Sequence, residues 1–86
     1  SQWRCALRAE AAVLAGDPDA LRHCADAERA CAGNPVATML TLRARAIAAG
    51  DEQALVALAQ QLCDVGASYQ HARTLMFIVH QRRPDG

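Results

Sequence analysis

Cysteine and histidine side chains are the groups in this chain best suited to metal or thiol chemistry. Cys24 and Cys31 are seven residues apart, which places both thiols on one face of a helix, and His23 precedes the first of them. No C-x-x-C or H-x-x-x-H spacing accompanies them, so a zinc site would need ligands from distant helices. A metal or thiol redox site on Cys24 and Cys31 is therefore an alternative hypothesis. The favoured interpretation is that the cysteines are free thiols, packed as small apolar side chains among alanines and leucines.

Hydroxyl, carboxyl and imidazole groups indicate structural roles rather than catalysis. The sequence contains no G-x-S-x-G, Walker or H-E-x-x-H motif. Ser68 follows a glycine at the position expected for a helix N-cap, and His71 and His80 would point to opposite sides of one helix. Acidic residues cluster at predicted helix starts, where capping and the helix dipole account for them. We therefore expect no enzymatic activity and no cofactor.

Composition favours one small all-helical domain over residues 1–86. The chain has nine arginines against nine acidic residues, no lysine, 52% apolar residues and 20 alanines. Alanine favours closely packed helices, and the scarcity of aromatic residues disfavours sheets. The charge balance predicts no direct nucleic-acid partner. The lack of a long apolar run or a signal peptide predicts a cytoplasmic protein with no membrane contact. Because the chain begins at Ser1, we expect it to be part of a longer protein.

Glycine spacing divides the chain into helices. Gly16, Gly33, Gly50 and Gly66 recur at intervals of 17, 17 and 16 residues, and most are followed by Asp or Asn. Glycine suits the left-handed position after a helix, and the short polar residue caps the next one. The pattern predicts five helices with connections so short that consecutive helices form antiparallel hairpins. The predicted helices are Gln2 to Ala15, Pro18 to Ala32, Pro35 to Ala49, Glu52 to Val65 and Tyr69 to Arg82.

Apolar spacing of three and four residues predicts the buried face of each helix. For the first and last helices it selects Trp3, Leu7, Ala11 and Leu14, and Ala72, Leu75, Met76 and Val79. For the third and fourth it selects Val36, Leu40, Ala44 and Ile47, and Leu55, Leu58, Ala59 and Leu62.

One helix pair occupies 34 residues, since Gly16 and Gly50 are 34 apart, and this is the period of tetratricopeptide (TPR) repeats. The segment LRARAIAAGDEQALVALAQQLCDVGASYQHARTLMF, from Leu42 to Phe77, resembles the TPR-like helical region of large bacterial transcriptional regulators of the LuxR and MalT-like type. Its best local match is GASYQHART. The resemblance implies TPR-like hairpins stacked in a short solenoid or a compact bundle, with a non-catalytic interaction or regulatory function. No helix-turn-helix or phosphate-binding loop is present, so DNA binding and ATPase activity do not carry over.

The sequence of the last predicted helix indicates an interface with a partner. Its segment 75–79 is apolar on all sides, and one neighbouring helix cannot cover five consecutive positions. We expect Phe77, Ile78 and Arg73 to contact a partner at this end of the chain, with Trp3 at the other end. The partner is a protein segment held between the first helices of successive pairs, a neighbouring domain, or a second copy in a homodimer. The alternative is a central helix wrapped on three sides.

A small-molecule-binding or self-associating regulatory bundle is a further alternative. In this hypothesis Met39, Leu58 and Met76 would line a pocket for an apolar effector.

Overall fold

The computed structural model describes residues 2–83, which form five α-helices and no strand. The helices are α1 Gln2–Leu14, α2 Ala20–Ala30, α3 Pro35–Ala49, α4 Glu52–Asp64 and α5 Ser68–Arg82. The predicted all-α class and the number of helices are confirmed, and every predicted boundary lies within two residues of the observed one. Residue 1 and residues 84–86 of the predicted domain lie outside the described residues.

The helix junctions follow the chemistry expected at glycine and Asx residues. All four junction glycines have positive φ, and Gly50 (φ 64°) ends α3 with its N–H bonded to the last turn. Asn34 Oδ1 accepts from Ala37 N at 3.1 Å and Asp51 Oδ1 accepts from Ala54 N at 3.1 Å, so both side chains cap helices. The predicted cap at Ser68 is wrong, because that residue is already the first of α5.

Helix packing proceeds along the chain. Helix α1 packs against α2 and α3, α3 against α4, and α5 mainly against α4. Small side chains fill the two clusters around α1, which consist of Ala6, Cys31, Ala37 and Leu40, and of Ala9, Cys24, Ala27 and Ala44. A third cluster joins α3, α4 and α5 through Ala46, Leu55, Ala59 and Ile78. Such small residues let the helix axes approach closely.

The predicted buried faces are confirmed for α4 and largely for α3, but they are wrong for α1 and α5. Helix α1 buries Ala6, Ala9, Glu10 and Ala12, whereas Trp3, Leu7 and Leu14 are 39%, 41% and 52% exposed. Helix α5 buries Thr74 and Ile78, whereas Leu75, Met76 and Val79 are 44%, 70% and 62% exposed. In α1 the alanines face the core because they permit close helix contact, and the larger side chains are left outside.

Each helix within residues 2–83 is too short or too polar to cross a lipid bilayer.

Candidate functional site

A buried carboxylate marks the centre of the candidate site. Glu10 is 3% exposed and is the only acidic residue of α1. Ala6, Ala9 and Val13 lie one turn or one residue from it on the same side of the helix. A charge in such surroundings needs an opposite charge and hydrogen bonds, since its desolvation is otherwise strongly unfavourable.

Arg43 of α3 supplies the opposite charge. Its side chain is 0% exposed, its Nε donates to Glu10 Oε1 at 2.7 Å, and its Nη2 lies 2.6 Å from the same oxygen. Its Nη1 donates to Thr74 Oγ1 at 3.1 Å and to the carbonyl of Gln70 at 3.3 Å, both on α5. One guanidinium therefore connects the first helices of three successive hairpins.

Arg73 of α5 binds the second oxygen of the same carboxylate. Its Nη2 and Nε donate to Glu10 Oε2 at 3.1 and 3.3 Å, and its side chain is 38% exposed. Glu10 thus holds one buried and one half-exposed guanidinium. Because both of its oxygens are ion-paired, the carboxylate is arranged to hold cations in place rather than to accept a substrate proton.

Phe77 completes the cluster. The guanidinium carbons of Arg43 and Arg73 lie 5.3 and 5.0 Å from the centroid of its ring, within the range of cation–π attraction. Two cations and one anion leave the cluster with a formal charge of +1. The face of the Phe77 ring attracts both cations.

Burial dominates the electrostatics of Arg43. Loss of solvent lowers the pKa of its guanidinium, and the charge and hydrogen bond of Glu10 act in the opposite direction. Arginine has so high an ordinary pKa that the group stays cationic at neutral pH. Arg43 Nη2 is satisfied by its 2.6 Å ion pair with Glu10 Oε1. Gln70 Oε1 is the buried polar atom of this region that makes no hydrogen bond within residues 2–83.

A surface cavity of about 280 Å³ opens beside the cluster, between the end of α1 and the middle of α5. It is lined by Leu14, Arg73, Met76, Phe77 and His80. We call it the α1–α5 groove. Its walls are apolar, and a guanidinium and an imidazole lie at its edge. This combination suits an apolar side chain next to a carboxylate.

A larger cavity of about 560 Å³ lies elsewhere, at the α1–α2 turn and the end of α3. Its arginine, Arg45, is already bound to Glu28 of α2 by two hydrogen bonds of 2.6 and 2.7 Å. That ion pair holds α2 against α3 and has no net charge, whereas the Glu10 cluster beside the α1–α5 groove has a formal charge of +1.

The four predicted partner-binding residues occupy different environments. Arg73 and Phe77 meet in the cluster, as described. Ile78 is 7% exposed in the third core cluster, and Trp3 is 39% exposed in the first turn of α1. The structure therefore brings Arg73 and Phe77 together and separates them from Ile78 and Trp3, while the role of all four in partner binding stays a prediction.

Sequence reasoning missed Glu10, Arg43, Leu14 and His80 as members of this site. Arg43 is fully buried, whereas an arginine is ordinarily exposed to solvent. A signal was available for Glu10, since an acid set among Ala6, Ala9 and Val13 lies on an apolar face. No equivalent signal pairs it with Arg43, 33 positions away.

The alternative sites are not assembled within residues 2–83. Cys24 and Cys31 lie in different core clusters, and no group of three or more His, Cys, Asp and Glu residues among the described ones is placed to hold a metal ion. Met39, Leu58 and Met76 line three different cavities, and binding of an apolar effector stays a prediction. 

Comparison with family models, with curated proteins and with solved structures finds no match to this chain.

Proposed function

We propose that this chain is a non-catalytic helical-repeat interaction module that binds a protein segment in the α1–α5 groove. The observation that carries the proposal is the pairing of exposed apolar side chains with a half-exposed guanidinium. Leu14 and Met76, 52% and 70% exposed, line the same cavity as Phe77 and Arg73. Exposed apolar side chains gathered around a concave site are typical of binding surfaces.

The residues that line the α1–α5 groove determine which kind of protein segment would bind there. An apolar side chain would displace water from Leu14, Met76 and Phe77, and a nearby carboxylate would bind Arg73 and His80. The formal charge of +1 in the Glu10 cluster favours an acidic segment over a basic one. The volume of about 280 Å³ fits one large side chain and is near the lower limit of pockets that hold free ligands, about 300 Å³.

The biological setting follows from the resemblance of Leu42 to Phe77 to the helical region of LuxR and MalT-like regulators. In this proposal the module belongs to a cytoplasmic bacterial transcriptional regulator and receives a protein partner or a neighbouring domain. It contacts neither DNA nor membrane itself. The five-helix hairpin arrangement and the near-neutral net charge support this role.

Selection from a random dodecapeptide library displayed on phage tests the proposal. We expect enriched peptides to contain an acidic residue within four positions of a large apolar one. A synthetic peptide with the most enriched sequence should bind the parent chain. The substitutions Arg73→Gln and Leu14→Glu should each lower its affinity at least tenfold. Val56→Glu is the matched control, since Val56 is an exposed residue of α4 outside this groove. Failure to enrich any peptide, or equal binding to all variants, would contradict the proposal.

A further inference from the structure

The first, third and fifth helices correspond residue by residue. Gly16 and Gly50, which follow α1 and α3, are 34 residues apart, and the cap positions Asn34 and Ala67, which precede α3 and α5, are 33 apart. Thr41 and Thr74 are equivalent in this register. Both are fully buried, and each Oγ1 donates to the carbonyl four residues before it, at 3.0 and 2.7 Å. Helices α3 and α5 therefore share this buried hydroxyl contact at equivalent positions, although α3 packs against α1 and α5 mainly against α4.

In this register, four positions at spacings of three, four and three residues form a stripe along each helix, which we call the seam. The side chains of the seam are covered in α1 and α3 and exposed in α5. In α1 and α3 these are Gln2, Cys5, Ala9 and Ala12, and Val36, Met39, Arg43 and Ala46, all buried or half-buried. In α5 they are Tyr69, Ala72, Met76 and Val79, all exposed. Tyr69, Met76 and Val79 have 72%, 70% and 62% of their surface free.

The following helix contributes to covering the seam in each of the first two hairpins. Ala9 packs with Cys24 and Ala27 of α2. Ala46 packs with Leu55 and Ala59 of α4. No helix among residues 2–83 occupies the corresponding place beside α5. Instead, a surface cavity of about 380 Å³ runs along that side, lined by Leu75, Met76, Val79, His80 and Arg83.

We infer that the α5 seam is a docking surface for an amphipathic α-helix of a partner protein, packed antiparallel beside α5 as α2 and α4 pack beside α1 and α3. The cavity along the seam and the α1–α5 groove share Met76 and His80. Tyr69, Ala72 and Val79 of the seam do not line the groove, so the two surfaces are distinguished at those positions. Large side chains such as Met76 and Val79 pack best against small ones. The docking helix therefore presents alanine-sized residues, as α2 does.

Charge specifies the orientation of the docking helix. In an antiparallel pair its N-terminus lies beside the C-terminal end of α5, where His80 and Arg83 line the cavity. Acidic residues are favoured at a helix N-terminus by the helix dipole. The two covering helices already follow this rule, since Asp17 and Asp19 precede α2, and Asp51 and Glu52 begin α4.

A second copy of this chain fits the seam less well. Arg82 is already paired with Glu52 of its own chain. Two α5 helices packed antiparallel would place the other basic residues of this end, His80 and Arg83, against the first turn of the other copy. That turn contains no acidic residue. The basic ends would then lack opposite charges, so complementarity favours an acidic partner helix.

A titration of the full chain with one defined peptide tests the inference. The probe is a helix-stapled peptide of residues 17–32, with both cysteines replaced by alanine, because it has the small face and acidic start of a covering helix. Methyl NMR should show saturable shifts at Leu75 and Val79. The double variant Leu75→Glu, Val79→Glu should lower the affinity for the probe at least tenfold, whereas the control Val56→Glu should leave it unchanged. Neutralising Asp17 and Asp19 in the probe should lower its affinity several-fold.

Three results would overturn the inference. They are the absence of binding, shifts confined to α1 and α3, and a concentration-dependent dimer in light scattering that the double variant abolishes. The last would show that a second copy is the occupant. Both substituted residues are outside the α1–α5 groove, so loss of the groove function and loss of this docking are measured separately.

Discussion

Glu10 and Arg43, 33 positions apart in the chain, form an ion pair inside the helical core, with Oε1 and Nε 2.7 Å apart and side chains 3% and 0% exposed. The pair joins α1 to α3, and Arg43 continues the connection to α5 through Thr74. Most other fully buried side chains are alanine, cysteine or leucine. Helix α5 packs mainly against α4, and this polar contact adds a second connection, from α5 to α1 and α3.

Removing the charge of Glu10 should strongly destabilise the fold. In Glu10→Gln the guanidinium of Arg43 stays buried without its counter-ion, and losing one partner of a buried ion pair typically costs about 3–5 kcal/mol. We expect the free energy of unfolding, measured with urea at pH 7, to fall by about that amount. The cation–π contact of Phe77 is too weak to compensate, since such contacts contribute about 0.5–2 kcal/mol.

The control for this experiment is Glu28→Gln. Glu28 also binds an arginine through two short hydrogen bonds, but the side chains of Glu28 and Arg45 are 37% and 39% exposed. Exposed ion pairs contribute about 0–1 kcal/mol. Equal decreases in the free energy of unfolding of the two variants would show that burial does not determine how much the Glu10–Arg43 ion pair stabilises the fold.

Replacing both members of the buried pair should restore much of the lost stability. In the double variant Glu10→Met, Arg43→Met no fully buried charge is left without a partner, because Arg73, which also loses Glu10, is 38% exposed to solvent. Apolar replacements of a buried pair are often neutral or stabilising. We expect the double variant to be more stable than Glu10→Met alone, with a coupling energy of at least about 2 kcal/mol in a double-mutant cycle from urea unfolding. Additive losses would mean that Glu10 and Arg43 act independently.

The helices were predictable because their signals are local. Glycine after a helix and Asn34 or Asp51 before the next act within a few residues, so their spacing is visible in the sequence alone. The core face of α1 was not predictable in the same way. Its large side chains are periodic, yet the alanines face the core, because the choice of face depends on how closely α2 and α3 approach.

The candidate site was predictable only in part. Arg73 and Phe77 were identified from the apolar run of α5, which is a local feature. Glu10 and Arg43 were not, because pairing across 33 positions is set by the packing of α1 on α3. The exposed α5 seam was not predictable either. It is identified by comparing the burial of equivalent positions in α1, α3 and α5, which only the structure provides.

Acid should weaken the contact between α2 and α3 through Glu28. The hydrogen bond from Arg45 is the largest cause that lowers the pKa of Glu28 below its ordinary value of 4.5. The folded protein then binds fewer protons than the unfolded chain near that pH, so this stabilisation is complete above pH 4.5 and is lost as pH falls through the lower, folded value. Because the pair is more than a third exposed, its contribution is about 0.5 kcal/mol or less.

Urea unfolding at pH 7, 5, 4 and 3 measures this effect. The parent should lose slightly more stability than Glu28→Gln between pH 5 and 3. An identical pH profile for the two proteins would contradict a stabilising Glu28–Arg45 pair.

The four thiols should react at very different rates with Ellman's reagent at pH 8. Cys63 is exposed on α4 and Cys5 is half-buried, whereas Cys24 and Cys31 are 0% exposed. Burial also raises the pKa of Cys24, which lowers its thiolate fraction, and the thiolate is the reacting species. We expect one fast thiol that Cys63→Ser removes and two that react only when the core opens, at rates that rise steeply with urea. Rapid modification of Cys24 in the absence of urea would show that α2 separates from α1 and α3 readily, and a Cys24→Ala variant would identify the signal.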